Sequence, residues 1–172
     1  YLADNPQDRL TEFEQLIKRT HEAGLMLVID FVPNHVSRDY GKVNPVPGHP
    51  VLGAEDDKTV HWKAENDFYY YVGEKLTLPT PVPKGMKPYE ECPAMATGNN
   101  CYNPSPGIND WYETVKINYG DNHTATWDKM YDIIDFWAGK GIDGFRCDMV
   151  ELVPPQFFKW LISSIKAKYP ET

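Results

Sequence analysis

The sequence predicts an α/β fold in which amphipathic helices alternate with parallel strands. Three observations support this prediction: two units of helix, glycine and apolar strand, a further helix after the second unit, and a long irregular stretch between the units. Strands that alternate with helices in this way pair in parallel, because the helix serves as the crossover connection.

The first unit begins with a helix predicted over residues 8–23. Four apolar residues in this stretch recur at helical spacing and predict one apolar stripe: Leu10, Phe13, Leu16 and Ile17. Gly24 follows where a helix is expected to stop. Residues 25–32 (LMLVIDFV) form a continuous apolar run, which is typical of a parallel strand covered on both faces.

The second unit repeats this order near the end of the chain. A helix is predicted over residues 126–141, a strand over 142–150, and a third helix that begins at Pro154 and Pro155. The apolar residues in helical register are, in the first of these helices, Met130, Ile133, Ile134 and Trp137, and in the second, Phe158, Leu161, Ile162 and Ile165. The two units therefore predict two neighbouring parallel strands.

Residues 36–115, between the two strands, have a different composition. This stretch holds most of the prolines and many of the tyrosines and tryptophans. A structureless loop of this length is rare inside a compact domain. We therefore expect an irregular subdomain inserted after the first strand.

The charge and hydrophobicity of the sequence argue against some classes of binding partner. The formal net charge is −8, which argues against nucleic acid or an anionic membrane as the main partner, since both select basic surfaces. No apolar run approaches membrane-spanning length. The chain begins without Met and lacks a signal-peptide pattern, so we interpret it as part of a longer protein and assign no compartment.

The three cysteines leave one alternative open. Cys92 and Cys101 bracket a stretch rich in glycine and asparagine, so they either close a short loop as a disulfide or remain two free thiols. Cys147 lies within the second predicted strand and is interpreted as a small core residue.

Polar residues stand at the end of each predicted strand. The first strand ends in DFVPNH, with Asp30, Asn34 and His35, and the second in GFRCDMVEL. Residues i and i+2 of a strand share a face, so Arg146 and Asp148 point the same way. Because the carboxyl ends of parallel strands line ligand sites, we expect these polar groups to meet.

This group of residues suits glycosyl transfer. An arginine beside Asp148 keeps that carboxylate ionised, and an ionised carboxylate can attack the anomeric carbon of a sugar. A nearby histidine can bind a sugar hydroxyl. The alternative is that Arg146 and Asp148 form a structural ion pair, and spacing alone leaves both readings open.

Three segments, in order, resemble signatures of the α-amylase family of glycoside hydrolases: DFVPNH at 30–35, VKINYGD at 115–121 and GFRCDMVEL at 144–152. The long aromatic insertion resembles the family as well. The resemblance implies part of a TIM (β/α)8 barrel with an inserted irregular domain B, divided as residues 1–35, 36–115 and 116–172. It also implies a retaining α-glycoside hydrolase that acts on starch-like α-glucans or malto-oligosaccharides.

The resemblance implies a role for each polar residue. Asp148 would be the catalytic nucleophile, and Arg146 would hold and polarise it. His35 would contact the sugar where the bond is cleaved. Asp30, grouped with His35 in the substrate site, would be a structural acid at the strand end. Asn34 would be a ligand of calcium in the members that bind the ion.

The sequence departs from the family pattern in two places. Glu151 and Leu152 stand where many α-amylases have Lys-His, which suggests an unusual product or acceptor preference. Calcium needs about six or more oxygen ligands, and only Asn34 can be named. The candidates in and near the insertion fit solvated loop carboxylates better: Asp56, Asp57, Asp110 and Asp121.

The general acid of the family is a glutamate at the end of the next strand. Glu171 follows a helix exit and is interpreted as a surface residue. We therefore expect the 172 residues alone to be inactive, and their uncovered sheet edges to invite self-association. Two alternatives stay open: a transglycosylase or isomerase on the same scaffold, and a non-catalytic amylase-like module.

Aromatic residues are frequent in the insertion. They could stack on sugar rings, but we favour a role in the core of the insertion. The residues concerned are Trp62, Phe68, Tyr69, Tyr70, Tyr71, Trp111 and Tyr112.

Overall fold

The computed structural model describes residues 5–40, 46–81 and 89–172. Three helices and six strands are defined in these ranges, with a short 3₁₀ helix near the end. In chain order they are α1 (Arg9–Glu22), β1 (Val28–Phe31), β2 (His35–Ser37), β3 (Tyr70–Tyr71), β4 (Ala94–Met95), β5 (Thr114–Lys116), α2 (Ala125–Gly139), β6 (Gly144–Cys147), the 3₁₀ helix (Val150–Leu152) and α3 (Pro155–Lys168). The fold is mixed α/β, and these residues form no closed barrel.

Strands β1 and β6 pair in parallel, as the helix–strand alternation predicts. The register places Val28 opposite Gly144 and Asp30 opposite Arg146. Both strands are shorter than predicted, because the apolar residues before Val28 precede the ladder and the chain leaves it after Cys147. There, Met149 adopts a left-handed backbone with φ of 50° and opens the 3₁₀ helix.

The prediction that the first strand is covered on both faces is wrong for the described residues. Leu25, Met26 and Val28 are 63%, 72% and 57% exposed, whereas Phe31 is buried. Among the described residues β1 belongs to a two-stranded sheet with β6, and Leu25 and Met26 precede this sheet. The stripe predicted for α1 is also only partly buried: Ile17 is buried, while Leu10 and Leu16 remain exposed.

Helices α2 and α3 provide most of the apolar core. Four predicted core residues are buried: Met130, Ile134, Leu161 and Ile165. Ile162, predicted on the same stripe, is 56% exposed. The periodic pattern missed Phe157, which is fully buried and contacts the rings of Trp127 and Tyr119 at centroid distances of 5.5 and 4.5 Å. Pro155 begins α3, as predicted, because the first turn of a helix needs no N–H there.

The chain between β1 and α2 leaves and returns through a two-stranded ribbon. Strands β2 and β5 are antiparallel, with His35 opposite Lys116, and β3 pairs with β4 farther along. We call residues 36–115 the connecting segment. Three of its predicted aromatic core residues are buried: Phe68, Tyr70 and Tyr112. Trp62 is 45% exposed and does not belong to this core.

Buried polar groups join the connecting segment to α2. The fully buried carboxylate of Asp67 accepts hydrogen bonds from the Gly53 N–H at 2.6 Å, the Thr126 hydroxyl at 2.7 Å and the Lys129 ammonium at 2.6 Å. Because each carboxylate oxygen has a donor, the charge is compensated without water. Asp67 is thus a fixed point between this segment and the helix.

A second buried polar group, the guanidinium of Arg38, connects distant parts of the connecting segment. Its guanidinium donates to the backbone oxygens of Tyr112 at 2.6 Å and Met95 at 3.1 Å and forms an ion pair with Glu91. These contacts join β2 to two later stretches of the chain. Hydrogen bonds and an ion pair of Arg38 therefore help to stabilise the connecting segment.

The cysteines are free, so Cys92 and Cys101 do not form the disulfide that the sequence left open. Cys147 is partly buried, as expected for a small residue beside the core. Within the described ranges, none of the helices is both long and apolar enough to span a membrane.

Candidate active site

The parallel ladder brings three predicted site residues into contact. A terminal guanidinium nitrogen of Arg146 lies 2.8 Å from Asp148 Oδ1 and 3.5 Å from Asp30 Oδ2. Asp30 is the ladder partner of Arg146, and Asp148 is its i+2 neighbour. Alternation therefore explains both pairs, since all three side chains share one face of the two-stranded sheet.

The other face of β6 is apolar. Phe145 and Cys147 line a cavity of about 340 Å³ together with residues of α3 such as Leu161 and Ile165. The predicted division of β6 into a charged face and a core face is therefore present. The charged face is open: the Arg146 and Asp30 side chains are 59% and 65% exposed, and that of Asp148 is 25% exposed.

Asp148 is held at the point where the ladder ends. Its N–H donates to the Phe31 carbonyl at 2.9 Å, so its backbone is still tied to β1. The next residue, Met149, turns the chain away with its left-handed φ of 50°. Such a conformation is uncommon for a residue with a long side chain. The carboxylate of Asp148 is thus fixed by a backbone bond on one side and by Arg146 on the other.

His35 and Asp148 line the same open pocket, which has a volume of about 540 Å³. The opposite wall comes from residues 108–114 of the connecting segment, including Trp111, whose ring centroid lies 5.5 Å from that of His35. Asp30 and Arg146 are not among the lining residues. Of the predicted site residues, His35 and Asp148 therefore line the pocket. Arg146 contacts Asp148 from outside the pocket, and Asp30 contacts Arg146.

The protonation of His35 follows from its surroundings. Burial lowers the pKa of the imidazole, the Asp148 carboxylate opposes this, and the Lys116 ammonium adds to the lowering. Asn34 Nδ2 lies 3.2 Å from His35 Nδ1 and can only donate, so Nδ1 accepts in the neutral ring. Nε2 then carries the proton and is the hydrogen-bond donor of this side chain.

Asn34 is fully buried behind the pocket. Its Nδ2 donates to the Gly98 carbonyl at 2.7 Å, and its Oδ1 accepts from the ammonium of Lys116. The same ammonium donates to the Leu152 carbonyl at 2.8 Å. Burial lowers the pKa of Lys116 to about 8. Asn34 Oδ1, the oxygen expected to bind calcium, thus accepts a hydrogen bond from the Lys116 ammonium.

The carboxylates considered as calcium ligands are not gathered at Asn34. In the part of the chain that the structure describes, no three His, Cys, Asp or Glu residues are placed to hold a metal ion. Asp56 is not a solvated loop carboxylate, because it accepts from the N–H groups of Asp67 and Phe68 and from the Tyr70 hydroxyl. Asp110 accepts from the Gly107 N–H and the Asn99 amide.

The other residues singled out from the sequence have local contacts or lie at the surface. The Asp57 carboxylate accepts from the N–H and hydroxyl of Thr59, and Asp121 is exposed. Glu171 is exposed after the end of α3, where the sequence placed it. Glu151 is exposed as well, whereas Leu152 contributes its backbone carbonyl to Lys116.

Sequence reasoning missed two residues around the pocket, Lys116 and Gly98, which lie behind His35. Trp111, favoured from the sequence as a core residue of the insertion, instead lies on the open side of His35 and lines the pocket. Lys116 lies in the segment VKINYGD that resembles a family signature, and its position between Val115 and Ile117 was the available signal. Gly98 gave no signal, although a Cβ there would meet the Cβ of His35 at 2.8 Å.

The comparison with known proteins agrees with this geometry. The chain is 28% identical over 162 residues to a cyclomaltodextrin glucanotransferase of Bacillus licheniformis, which covers 94% of this chain and 19% of that protein. It is 27% identical over 154 residues to the amino acid transporter heavy chain SLC3A1 of Rattus norvegicus, covering 84% of this chain and 19% of that protein. The chain thus spans about a fifth of the length of these curated relatives.

A solved structure and a family model add to this. The crystal structure of an α-amylase from Lactobacillus plantarum superposes with a TM-score of 0.56 and 26% identity, covering 95% of this chain and 27% of that one. Residues 9–172 match the family model described as alpha amylase, catalytic domain. With nearly all of its length matched, and with the signature residues gathered at one end of the β1–β6 ladder, the chain belongs to the α-amylase family.

Proposed function

We propose that this chain supplies the nucleophile side of the active site of a retaining α-glycoside hydrolase. The substrates are starch-like α-glucans or malto-oligosaccharides. The observation that supports this most directly is that His35 and Asp148 line one open pocket while Arg146 binds Asp148 from behind at 2.8 Å. A structural ion pair alone would not need an open cavity in front of its carboxylate.

The proposed scaffold is part of a (β/α)8 barrel, with the connecting segment as domain B. The parallel ladder of β1 and β6, each strand preceded by a helix, supports this, as does the likeness to the Lactobacillus plantarum α-amylase. In such barrels the catalytic groups stand at the carboxyl ends of the strands, where Asp30, His35, Arg146 and Asp148 are found.

Asp148 acts as the nucleophile. Its carboxylate attacks the anomeric carbon, the glycosidic bond breaks, and a covalent glycosyl ester forms on Asp148, which water then hydrolyses. Arg146 binds the Asp148 carboxylate at 2.8 Å and orients it, and Asp30, 3.5 Å from the same guanidinium nitrogen, keeps Arg146 in line with the strand end. Asp30 thus supports the site without contacting the reacting bond.

His35 binds the sugar at the cleavage point. Its Nε2–H is the donor left after Nδ1 accepts from Asn34, and it is suited to a hydroxyl of the sugar ring. Trp111 forms the neighbouring wall of the pocket and offers an aromatic surface to the sugar. The connecting segment therefore takes part in substrate binding as well as in folding.

The general acid is not assigned to a residue of this chain. A retaining mechanism uses two carboxyl groups about 5 Å apart, and Glu171 is exposed beyond the end of α3. We propose that these 172 residues prepared alone do not turn over substrate. The exposed apolar side chains of Leu25, Met26 and Val28 support self-association under those conditions.

Transglycosylation is the second candidate activity. The likeness to a cyclomaltodextrin glucanotransferase favours it, because the same covalent intermediate can pass to a sugar hydroxyl instead of water. Glu151, which is exposed, stands where many α-amylases have lysine, and the resemblance links this position to acceptor preference. Chromatography of the products from one malto-oligosaccharide separates the two: shorter products alone indicate hydrolysis, and longer ones indicate transfer.

The test of the proposed function is Asp148→Asn in the protein as its gene encodes it. We expect turnover of a malto-oligosaccharide to fall by about 10⁴-fold, since the nucleophile is lost, with glucan binding retained. The matched control is Asp128→Asn, whose side chain is 66% exposed and pairs with His123. Unchanged turnover in Asp148→Asn would remove this residue from the nucleophile role.

A parent protein that binds glucan but never turns it over would favour the non-catalytic alternative. The likeness to an amino acid transporter heavy chain makes that outcome worth measuring first. The bond from Arg146 to Asp148 and the open pocket argue against it, because a chain without catalysis has no need to keep a braced carboxylate at a cavity.

A further inference from the structure

We propose that the side-chain ammonium of Lys116 occupies the place where the resemblance expects calcium, so that this junction is held by a built-in cation and binds no calcium ion. The proposal concerns the chain's own packing and does not depend on the activity proposed above.

The position of Lys116 is unusual for a lysine. The residue ends β5, faces His35 across the ladder and is 5% exposed. Lysine is rarely buried to this extent without a partner. Here the ammonium donates to the side-chain oxygen of Asn34 and to the backbone oxygen of Leu152. These acceptors come from the residue before β2 and from the 3₁₀ helix that follows Asp148, so the Lys116 ammonium joins these two segments to β5.

The acceptors suit an ammonium better than a divalent ion. Both are neutral oxygens, and the remaining polar atom of Asn34 is its NH₂ group, which donates to Gly98 and cannot bind a metal. Calcium takes about six to eight oxygens, usually including carboxylates, and among the described residues no three His, Cys, Asp or Glu side chains are placed to hold a metal ion. Each of the two neutral carbonyl oxygens can accept a hydrogen bond from the ammonium.

Direct competition also excludes the ion. Calcium bound to Asn34 Oδ1 would lie about 2.3–2.6 Å from that oxygen, in the space that the Lys116 ammonium occupies. Two like charges at such a separation repel strongly in a site removed from water. Binding calcium would therefore require Lys116 to leave, and its side chain is enclosed by β2, β5 and the 3₁₀ helix.

The consequence lies close to the pocket. Asn34 precedes His35, and Leu152 ends the short helix that begins just after Asp148. Lys116 thus fixes the distance between the two strand ends from behind, and acts as a positioning residue that does not itself line the pocket. The junction has the function of a metal bridge without depending on the metal concentration.

The test follows hydrogen exchange of peptides that cover residues 31–38, 114–119 and 148–154 in the protein as encoded. With calcium or with a chelator, the parent should show the same protection in all three segments. Greater protection with calcium in these segments would overturn the proposal.

The matching variant is Lys116→Met, which keeps the length of the side chain but removes the charge. We expect Tm to fall by roughly 5–10 °C, because the buried side-chain oxygen of Asn34 and the partly buried carbonyl of Leu152 lose their donor, and protection to fall in the same three segments. Lys159→Met, which replaces an exposed lysine of α3, should change neither. An unchanged Tm in Lys116→Met would show that the ammonium is not needed; if this variant does not fold, the calcium comparison on the parent still decides.

Discussion

The helix–strand units and the connecting segment of this protein are stabilised by different interactions. Helices α2 and α3 pack through apolar side chains around Phe157, which has no exposed surface. The connecting segment is tied down by buried polar groups: Asp67 bound by Lys129 and Thr126, and Arg38 bound to backbone carbonyls. An apolar core is tolerant of shape changes, whereas a buried ion depends on each of its partners.

This difference matters for the pocket, because one wall comes from each region. Asp148 stands on the ladder of the helix–strand units, whereas Trp111 and the residues around it belong to the connecting segment. The chain therefore joins a wall supported by apolar packing to one supported by polar contacts. Changes in the connecting segment should affect the site through the positions of single hydrogen-bonding groups.

The largest effect on stability is expected from Asp67→Ala. It removes a fully buried carboxylate and leaves the Lys129 ammonium, the Gly53 N–H and the Thr126 hydroxyl without their acceptor. Breaking a buried ion pair on one side costs about 3–5 kcal/mol. Urea denaturation measures the loss, with Asp128→Ala as the exposed control. A smaller loss of stability in Asp67→Ala than in the apolar substitution Phe157→Leu would contradict this comparison.

A smaller effect on stability, with a direct effect on the site, is expected from Gly98→Ala. The added Cβ would lie 2.8 Å from both the Cβ of His35 and the hydroxyl of Thr114. Overpacking of this kind costs about 1–3 kcal/mol, and displacement of His35 should lower kcat/KM by roughly 10²-fold. Gly144→Ala is the control, because the nearest atom to its Cβ is a methyl group at 3.5 Å. Wild-type kcat/KM in Gly98→Ala would show that His35 is not held from this side.

The sequence predicted the helix–strand units better than the connecting segment, and the reason is physical. Helical and strand periodicity are local, so they located Met130, Leu161 and the shared face of Arg146 and Asp148. Local periodicity does not show which neighbours a strand will have. For that reason it predicted full burial for a strand whose Val28 is 57% exposed.

The polar contacts behind the pocket could not be predicted in the same way. The bond from Lys116 to Asn34 joins residues 82 positions apart, and that from Asn34 to Gly98 joins residues 64 apart. Nothing in the pattern of a short polar stretch indicates so distant a partner. The family resemblance implied that Asn34 is a calcium ligand, and it gave no indication that the side-chain oxygen of Asn34 accepts a hydrogen bond from Lys116.

A moderate effect is expected from Phe157→Leu in the apolar region. The substitution keeps an apolar side chain of somewhat smaller volume at a fully buried position, so we expect a loss of about 1–1.5 kcal/mol. The measurement is again urea denaturation. Ile162→Val on the same helix is the control, since Ile162 is 56% exposed. A loss as large as that from Asp67→Ala would mean that the apolar core is no more tolerant than the polar network.

The smallest effect is expected from Asp143→Asn, where a polar contact supports the apolar region. Asp143 Oδ2 accepts from the Leu27 N–H at 2.6 Å and lies 2.9 Å from His21 Nε2, so it ties the start of β1 and the end of α1 to the residue before β6. The Leu27 N–H, followed by His21, lowers the pKa of this carboxyl. The side chain is 22% exposed, so the loss at neutral pH should be only about 0.5–1 kcal/mol.

The pH dependence separates this charge effect from a change in packing. Because the pKa of Asp143 is lower in the folded state, its contribution is complete above the unfolded-state pKa of about 3.9 and is lost as the pH falls through the folded-state pKa. The stability difference between parent and Asp143→Asn should therefore be constant near neutral pH and shrink in acid, as urea denaturation at several pH values would show. A difference that stays the same in acid would mean that the carboxylate contributes through its shape, and the two regions would then differ less in their use of charge than their contacts indicate.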